Sequence, residues 1–354
     1  MEKKNIAIIF GGRSNEYEVS LQSAAAVIEN IDRNSYTPVL VGITKEGTWL
    51  EFQGDCELIR RDTWHSHESC VSAFLSPSRG KSRLVRINEG KYSSIPIDVV
   101  FPVLHGKNGE DGTIQGLLEL AEIPFVGCDT LSSAICMDKA VAHSLIETAG
   151  IKVPRSVVLY KGEANAKTIV ASAELQFPLY VKPAKSGSSI GITKVFDLHG
   201  VDAAVDSALL QDSKVIIEEA VEGFEVGCAI LGNEQPIVGE VDEIELTGDF
   251  FDFNEKYTLA TSRIHMPARI DKATSDRIKE TALHIYRVLC CKGMARVDMF
   301  LTPQKEIVFN EVNTIPGFTD KSRYPKMLSA VGLSYSEIID WLIKLALAEE
   351  KSVE

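Results

Sequence analysis

Several things are scarce in this 354-residue chain. Cysteine is one: there are seven, an odd number, with no Cys-x-x-Cys pair, and Cys290 and Cys291 are adjacent. A disulfide framework and a zinc site both need pairs at defined spacing, so neither is expected. Long apolar runs are also missing. None reaches the ~18–20 residues that cross a bilayer. Met1-Glu2-Lys3-Lys4 leads straight into the short apolar run 5–10, without the longer apolar region and small-residue cleavage site of a signal peptide. Basic residues are outnumbered 37 to 50, for a net charge of −13. Nucleic acid and anionic membranes need a basic footprint, so neither is expected as a partner; a small phosphate ligand in a local basic pocket is not excluded. The chain reads as cytoplasmic.

Two common nucleotide signatures are absent. Gly80-Lys81-Ser82 would end a Walker A loop, but Leu75 stands where its first glycine belongs. A dinucleotide fold wants Gly-x-Gly-x-x-Gly after the first strand, and here Gly11-Gly12 runs into Arg13-Ser14-Asn15. There is no internal repeat and no low-complexity tract.

What is present is a soluble globular composition, 45% hydrophobic and 25% charged. The length calls for two or three domains. The first third alternates strand signals (6–10, 38–43, 99–104, 124–127) with helix signals (20–31, 113–121), which implies a parallel sheet with helices on its faces. Ligands bind beyond the C-terminal strand ends of such sheets, where Gly11-Gly12 and His105-Gly106 stand. Residues 52–95 read as polar and irregular. A helix over 131–149 closes at Gly150. A second unit follows, with strands at 156–160, 179–182, 192–195 and 215–219. Beyond Phe224 come longer strands, a loop at 247–260, a helix near 275–290, a hairpin over 295–313 and terminal helices.

Five stretches carry chemistry. In Ala295-Arg296-Val297-Asp298, alternation puts Arg296 and Asp298 on one strand face; in Asn310-Glu311-Val312-Asn313, Glu311 and Asn313 share another. A turn at 302–305 lets the faces coincide. Two carboxylates and an amide oxygen suit Mg²⁺; an ordinary cross-strand salt bridge fits the same residues, and spacing does not choose. Second, Tyr180-Val181-Lys182-Pro183 runs into Ala184-Lys185-Ser186-Gly187-Ser188-Ser189-Ile190-Gly191, a small-residue turn whose amides can close over phosphates, with Lys182 pointing into the site. Third, the strand 215–219 flows into Glu218-Glu219-Ala220-Val221-Glu222-Gly223-Phe224-Glu225. There acidic acceptors suit ribose hydroxyls and backbone groups suit an adenine edge; a solvated acidic turn fits as well. Fourth, Glu16 and Glu18 flank a helix start, where acids often merely complement the dipole; Glu16 could instead bind a substrate ammonium. Fifth, His105-Gly106-Lys107-Asn108-Gly109-Glu110-Asp111-Gly112 ends a strand in a glycine-rich turn, where a histidine is either structural or active.

These pieces occur together and in order, and that arrangement resembles the D-alanine–D-alanine ligase family of ATP-grasp enzymes, including its vancomycin-resistance members. The resemblance covers nearly the whole chain and is most specific at 105–116 (HGKNGEDGTIQG) and 310–318 (NEVNTIPGF). It implies a mixed α/β and α+β chain: an N-terminal preATP-grasp parallel α/β domain (1–127), then a two-lobed ATP-grasp fold with a central lobe (128–224) and a C-terminal lobe (225–354). Carried over by motif, Lys139 and Lys182 contact ATP phosphates, Glu218, Glu219 and Val221 meet adenine, Glu225 meets ribose, and Ser189 and Lys256 also bind ATP. Asp298, Glu311 and Asn313 hold two Mg²⁺ ions, for which Mn²⁺ can substitute. Glu16 binds the first D-alanine's ammonium, with Ser188 hydrogen-bonded nearby and His105 near that substrate's carboxylate. Arg296, Gly317 and Ser322 receive the second substrate and the oxyanion. Loop 247–260 is the expected lid, with Tyr257 reaching Ser188. The family also implies a homodimer. A nucleotide-binding regulator without turnover is disfavoured, because all three metal ligands are present.

The second substrate is read as D-serine, with D-alanine as the alternative. Phe251-Asp252-Phe253-Asn254-Glu255-Lys256-Tyr257 resembles the amino-acid-using ligases rather than the D-lactate enzymes. Arg323, in Ser322-Arg323-Tyr324-Pro325, stands where D-alanine-adding enzymes usually have leucine. An arginine beside the pocket favours a substrate hydroxyl over a methyl. Asp320-Lys321 departs from the usual serine-histidine.

Overall fold

The computed structural model describes residues 3–80, 82–163, 165–246 and 262–350. Among the described residues, three sheets carry the fold. The first is built on β1 (Lys4–Gly11), which pairs in parallel with β2 (Tyr36–Ile43) on one side and β7 (Val99–Val103) on the other. Helix α1 (Tyr17–Asn30) joins β1 to β2. The segment 124–127 contributes only an isolated bridge, Val100 to Phe125.

Residues 52–95 correct the sequence reading. They hold α2 (Cys56–Arg60) and the strands β4 (Val71–Leu75), β5 (Arg83–Asn88) and β6 (Lys91–Pro96). With β3 (Trp49–Phe52) these strands extend the sheet in antiparallel fashion. An antiparallel strand needs only one apolar face. β4 buries Ala73 and Leu75 while Phe74 points out, and the edge strand β6 is almost entirely exposed. No apolar run marks such strands.

Alternation along β1 feeds two cores. Ile6, Ile8 and Phe10 pack with α1 and with α10 (Tyr335–Glu350), so the C-terminal helix covers the N-terminal sheet. Ala7 and Ile9 pack with α3 (Thr113–Leu120).

The expected helix 131–149 is two helices, α4 (Thr130–Met137) and α5 (Lys139–Thr148). Asp138 breaks it. Its backbone is extended and its carboxylate accepts from the Val141 N–H at 3.2 Å, an N-cap that a short acid makes readily. Lys214 holds that carboxylate at 2.8 Å. The break sets Lys139 at the start of α5, with its N–H on the Ala184 carbonyl. Cys136, Ala142 and Ile146 from these helices bury in the core of the C-terminal sheet.

The central sheet has the order β10 (Thr193–Val195), β9 (Leu179–Pro183), β11 (Lys214–Glu219), β8 (Ser156–Tyr160), with α6 (Ala166–Ser172) and α7 (Val201–Leu209) contributing to its core. In the third sheet β12 (Phe224–Leu231) lies between β14 (Asp242–Leu246) and β16 (Met294–Leu301); β13 (Ile237–Val238) also pairs with it. β15 (Ser262–His265) and β17 (Ile307–Asn313) are the edges. Val226, Cys228 and Ile230 of β12 bury under α8 (Lys272–Val288). The opposite face, with Glu225, Gly227 and Ala229, is left for α9 (Arg323–Ser329) and the candidate site.

Candidate active site

Strand register assembles the first part of the site. β16 pairs with β12 so that Arg296 faces Ala229 and Asp298 faces Gly227, while Glu225 and Asp242 fall on the same side. β17 would present the wrong residues if it ran regularly. A register shift at Asp298/Met299 leaves Asn310 without a counterpart between Phe309 and Glu311, and Glu311 then lies opposite Asp298 and Asn313 opposite Arg296. A bulge re-aims side chains in this way. His143 of α5 holds the bulge, its Nε2 2.9 Å from the Asn310 carbonyl.

The side chains on this face form one network. Arg296 donates to Asp298 through Nε (2.8 Å) and Nη2 (2.6 Å), and Asn313 donates to Asp298 at 2.9 Å. Burial works against the Arg296 charge, but Asp298 outweighs it and keeps the guanidinium above its ordinary pKa. Lys139 lies 3.2 Å from Glu311 and donates to the Ser186 carbonyl at 2.9 Å.

Arg323 reaches the same face from the first residue of α9. It donates to Asp242 through Nε (2.7 Å) and Nη2 (2.8 Å), and to Glu225 through Nη1 (2.9 Å). Asp242 is itself fully buried and also accepts from the Gly227 N–H at 3.0 Å. Gly227 makes room for this arrangement, because a Cβ there would collide with Arg323 Nη2.

The second part is the loop after β9. Ser188 and Ser189 both have positive φ, 52° and 59°, a left-handed conformation unusual for side chains with a Cβ. Ser188 donates to the Glu16 carboxylate. Glu16 sits at the N-cap position of α1 but makes no capping bond, which leaves its carboxylate for the cavity. Gly106 and Gly187 close on it from either side; a Cβ on either would collide with Glu16 Oε2.

Lys182 and Glu218 form a buried ion pair on the site-facing side of the central sheet. The second Glu218 oxygen is buried with no hydrogen-bond partner among the described residues. An orphaned acceptor is costly unless a donor arrives, and an adenine amino group is such a donor, so this carboxylate fits a nucleotide base. Glu219 points to the other side. Its carboxylate accepts from Arg155 and from the Gln176 N–H, so only its backbone is offered to a nucleotide. Val221 is half-buried in the link between β11 and β12.

The third part is the turn after β7. Glu110 accepts from the Gly106 N–H (2.7 Å) and from the Ile315 N–H (3.1 Å). Burial, and then the nearby Glu16 charge, pushes its carboxyl up to about 8. His105 is buried and its pKa is lowered, burial outweighing Glu16. Its Nδ1 is 2.9 Å from the Ile315 carbonyl and its Nε2 is 3.1 Å from Ser23 Oγ, so both nitrogens are engaged within the protein.

A cavity of about 1040 Å³ joins these parts. Glu16, His105 and Ser188 line it from one side; Lys139, Arg296, Glu311, Asn313, Gly317, Ser322 and Arg323 line it from the other. Asp298 lies against it through Arg296. Lys182, Ser189, Glu218, Glu219, Val221 and Glu225 are not on its wall. Lys256, Tyr257 and the expected lid 247–260 lie outside the described residues. Glu110, Asp242, Gly227 and Ser23 were not singled out by sequence reasoning. Glu110 stood inside the motif 105–116 and could have been questioned; Asp242 and Gly227 acquire meaning only through strand pairing.

A divalent metal fits the oxygen donors of Asp298, Glu311 and Asn313. Two carboxylates and an amide suit a hard cation that takes its remaining ligands from phosphates and water. Among the described residues no group of three His, Cys, Asp or Glu side chains is arranged as a protein-only metal cage. No helix among them is long and apolar enough to cross a membrane.

Residues 5–128 match the family described as D-ala D-ala ligase N-terminus, and residues 145–344 match D-ala D-ala ligase C-terminus. The D-alanine--D-alanine ligase of Caldicellulosiruptor bescii is 44% identical, covering 99% of this chain and 97% of that protein. The vancomycin B-type resistance protein VanB of Enterococcus faecalis is 45% identical, covering 98% and 99%. Among solved structures, the VanG D-Ala:D-Ser ligase from Enterococcus faecalis is 53% identical with a TM-score of 0.91, covering 98% of this chain and all of that one.

Proposed function

This chain belongs to the D-alanine–D-alanine ligase family, and from that premise we propose that it joins D-alanine to D-serine. Membership makes it an ATP-dependent ligase that uses a divalent metal and forms a peptide bond between small amino acids. The finer reading is D-alanyl-D-serine synthesis for peptidoglycan precursors, in the setting of vancomycin resistance, in the cytoplasm and with Mg²⁺ as the usual metal.

The chemistry runs in two steps. The first D-alanine's carboxylate attacks the ATP γ-phosphorus, giving D-alanyl phosphate and ADP. The acceptor's amine then attacks that carbonyl, and phosphate leaves. Glu16, steadied by Ser188, binds the donor's ammonium. A carboxylate meeting a triphosphate brings like charges together, which Lys139, Lys182 and Arg296 offset. Bound at Asp298, Glu311 and Asn313, the metal would neutralise further phosphate charge. Arg296 and the Gly317 N–H are assigned to the oxyanion of the second step, and Ser322 to the acceptor's carboxylate. Glu218 at the base, Glu225 near the ribose and Lys182 toward the phosphates form the nucleotide half.

Arg323 carries the acceptor reading. A guanidinium has five N–H donors, and among the described residues Arg323 gives three hydrogen bonds, two to Asp242 and one to Glu225. Nη2 also faces Asp298 at 3.4 Å, which leaves, among the described residues, one Nη1 N–H for a hydroxyl at the cavity wall, where leucine would offer only a methyl contact. The identity to the D-Ala:D-Ser ligase from Enterococcus faecalis supports the same reading; the 44% identity to a D-alanine--D-alanine ligase keeps D-alanine as the alternative. The test is a competition assay with D-alanine as donor and equimolar D-alanine, D-serine and D-lactate as acceptors. D-Alanyl-D-serine is the expected main product. Predominant D-alanyl-D-alanine would overturn the D-serine reading and leave the ligase intact. Arg323→Leu should move product toward D-alanyl-D-alanine, by the roughly 10–200-fold that one small group commands in a pocket. Light scattering on the purified chain checks the homodimer.

A further inference from the structure

The segment 315–318 connects the last metal-site strand to the acceptor helix, and it carries Gly317 on the cavity wall. It has no regular secondary structure to hold it. Its backbone is held instead by four side chains: Tyr335 of α10 donates to the Phe318 carbonyl, and the other three come from the N-terminal domain. Ile315 is gripped on both polar groups: its N–H donates to Glu110 at 3.1 Å, and its carbonyl lies 2.9 Å from His105 Nδ1. The Phe318 N–H donates to Ser23 Oγ at 3.3 Å.

The polarity of this chain of bonds is determined. A carbonyl only accepts, so His105 Nδ1 carries the proton. Nε2 therefore accepts, and Ser23 donates to it at 3.1 Å while accepting from Phe318. Glu110 is anchored on its own side by the Gly106 N–H at 2.7 Å. Ser23, His105, Ile315 and Phe318 are all buried, so water does not compete for these bonds and each lost partner leaves an unsatisfied group.

We propose that Glu110 and Ser23 are positioning residues for the acceptor half-site: with His105 they clamp residues 315–318 from the N-terminal domain and so hold Gly317 at the cavity. The inference rests on the ligase reading, in which Gly317 meets the oxyanion and its neighbours the second substrate. Neither residue touches a reacting atom; each acts through the loop. The clamp also joins the two halves of the reaction, since the turn that carries Glu110 lies against Glu16 on the donor side.

Three variants test it. Ser23→Ala keeps a good helix former at a buried helical position and alters no charge. Glu110→Ala removes both of its bonds, and Glu110→Gln retains one amide oxygen to accept from Ile315. Steady-state kinetics on the full chain should give an acceptor KM raised at least tenfold by Glu110→Ala and about threefold by Ser23→Ala, exceeding any rise in donor or ATP KM. Glu110→Gln should fall between wild type and Glu110→Ala. Hydrogen exchange should be faster at the amides of Ile315 and Phe318 in the corresponding variants, with β16 and β17 unchanged. Donor KM rising as much as acceptor KM, or unaltered exchange at those amides, would overturn the proposal. Failure of the ligase reading is separable: wild type would then release no ADP with any pair of D-amino acids, while the exchange measurement still decides whether the clamp exists.

Discussion

The two sides of the cavity handle charge in opposite ways. On the C-terminal sheet, each buried or half-buried charge faces one of opposite sign. Arg296 meets Asp298, Arg323 meets Asp242 and Glu225, and Lys139 meets Glu311. On the donor side stand two carboxylates, Glu16 and Glu110, and among the described residues neither has a cationic partner. Their bonds come from Ser188 and from two backbone N–H groups. The balanced face is organised before any ligand arrives. Among the described residues the donor corner has no positive charge, and in the proposed reaction an incoming ammonium would supply one. This asymmetry fits an order of events in which the corner selects an amino acid while the opposite face holds phosphates and metal.

The largest effect should come from unbalancing the organised face. Glu311→Ala removes a proposed metal ligand and the partner of Lys139. A loss of roughly 10²–10³-fold in kcat is expected, the scale of losing one preorganised electrostatic contact at a reacting centre. Glu311 is the better choice than Asp298. Asp298 is almost wholly buried between Arg296 and Arg323, and breaking such a pair costs ~3–5 kcal/mol of stability. ADP release at saturating Mg²⁺, with circular dichroism to check the fold, makes the measurement. Undiminished turnover would remove Glu311 from the metal site.

Next in size is the donor corner. Glu16→Gln keeps the shape and an oxygen for Ser188 but deletes the charge. A hydrogen bond to a charged group is worth ~1.5–3 kcal/mol, so donor KM should rise roughly 10- to 100-fold, with acceptor KM little altered. Equal rises in both would mean that the corner does not distinguish the two substrates, and the comparison between the two sides would fail.

Much of this arrangement was legible in the sequence where chemistry is local. The chemical alternation in Arg296–Asp298 and Glu311–Asn313, the small-residue loop after Lys182 and the turn at His105 each single out a stretch that lies at the cavity, without any pairing. The remainder depends on register. Nothing near Asp242 announces that it lies beside Gly227 and under Arg323, and nothing in Phe309-Asn310-Glu311 announces the bulge that puts Glu311 opposite Asp298. The same limit hid β4 to β6, whose one-sided burial leaves a mixed sequence, and the break at Asp138, where a single side-chain cap overrides a helical pattern.

A third, smaller effect probes the space behind Arg323. Gly227→Ala would push a methyl into Arg323 Nη2 and Asp242 Oδ1. Overpacking of this kind costs ~1–3 kcal/mol, read as a lower melting temperature. If Arg323 is displaced from the cavity wall, acceptor selectivity should weaken in the same variant. A melting temperature equal to wild type would show that the network yields easily and is not the rigid counterpart of the donor corner.

The smallest effect is in pH. Glu110 is held up to about 8 by burial and by Glu16, against an ordinary carboxyl value near ~4.3. Between those values the folded chain binds a proton that the unfolded chain has released. Stability therefore falls as pH rises through this window, with the contribution fully present at low pH and lost as the folded group ionises near 8. The slope for one group is at most ~1.4 kcal/mol per pH unit. His105 and His143 act in the other direction, because burial lowers both and the unfolded chain then holds more protons near their ordinary value. Their contribution is largely complete above pH 7, and the buried thiols, whose pKa values are raised in the folded chain, add their own fall only as unfolded cysteines ionise above ~8, so the difference between wild type and variant from pH 7 to 8 isolates the carboxyl. Glu110→Gln, neutral at every pH, should flatten the fall over that range. Bound D-alanine, by bringing its ammonium to Glu16, should flatten it in the wild type as well. Identical slopes in wild type and variant would mean that Glu110 is already ionised at neutral pH, and the donor corner would then hold two full negative charges for the substrate to meet.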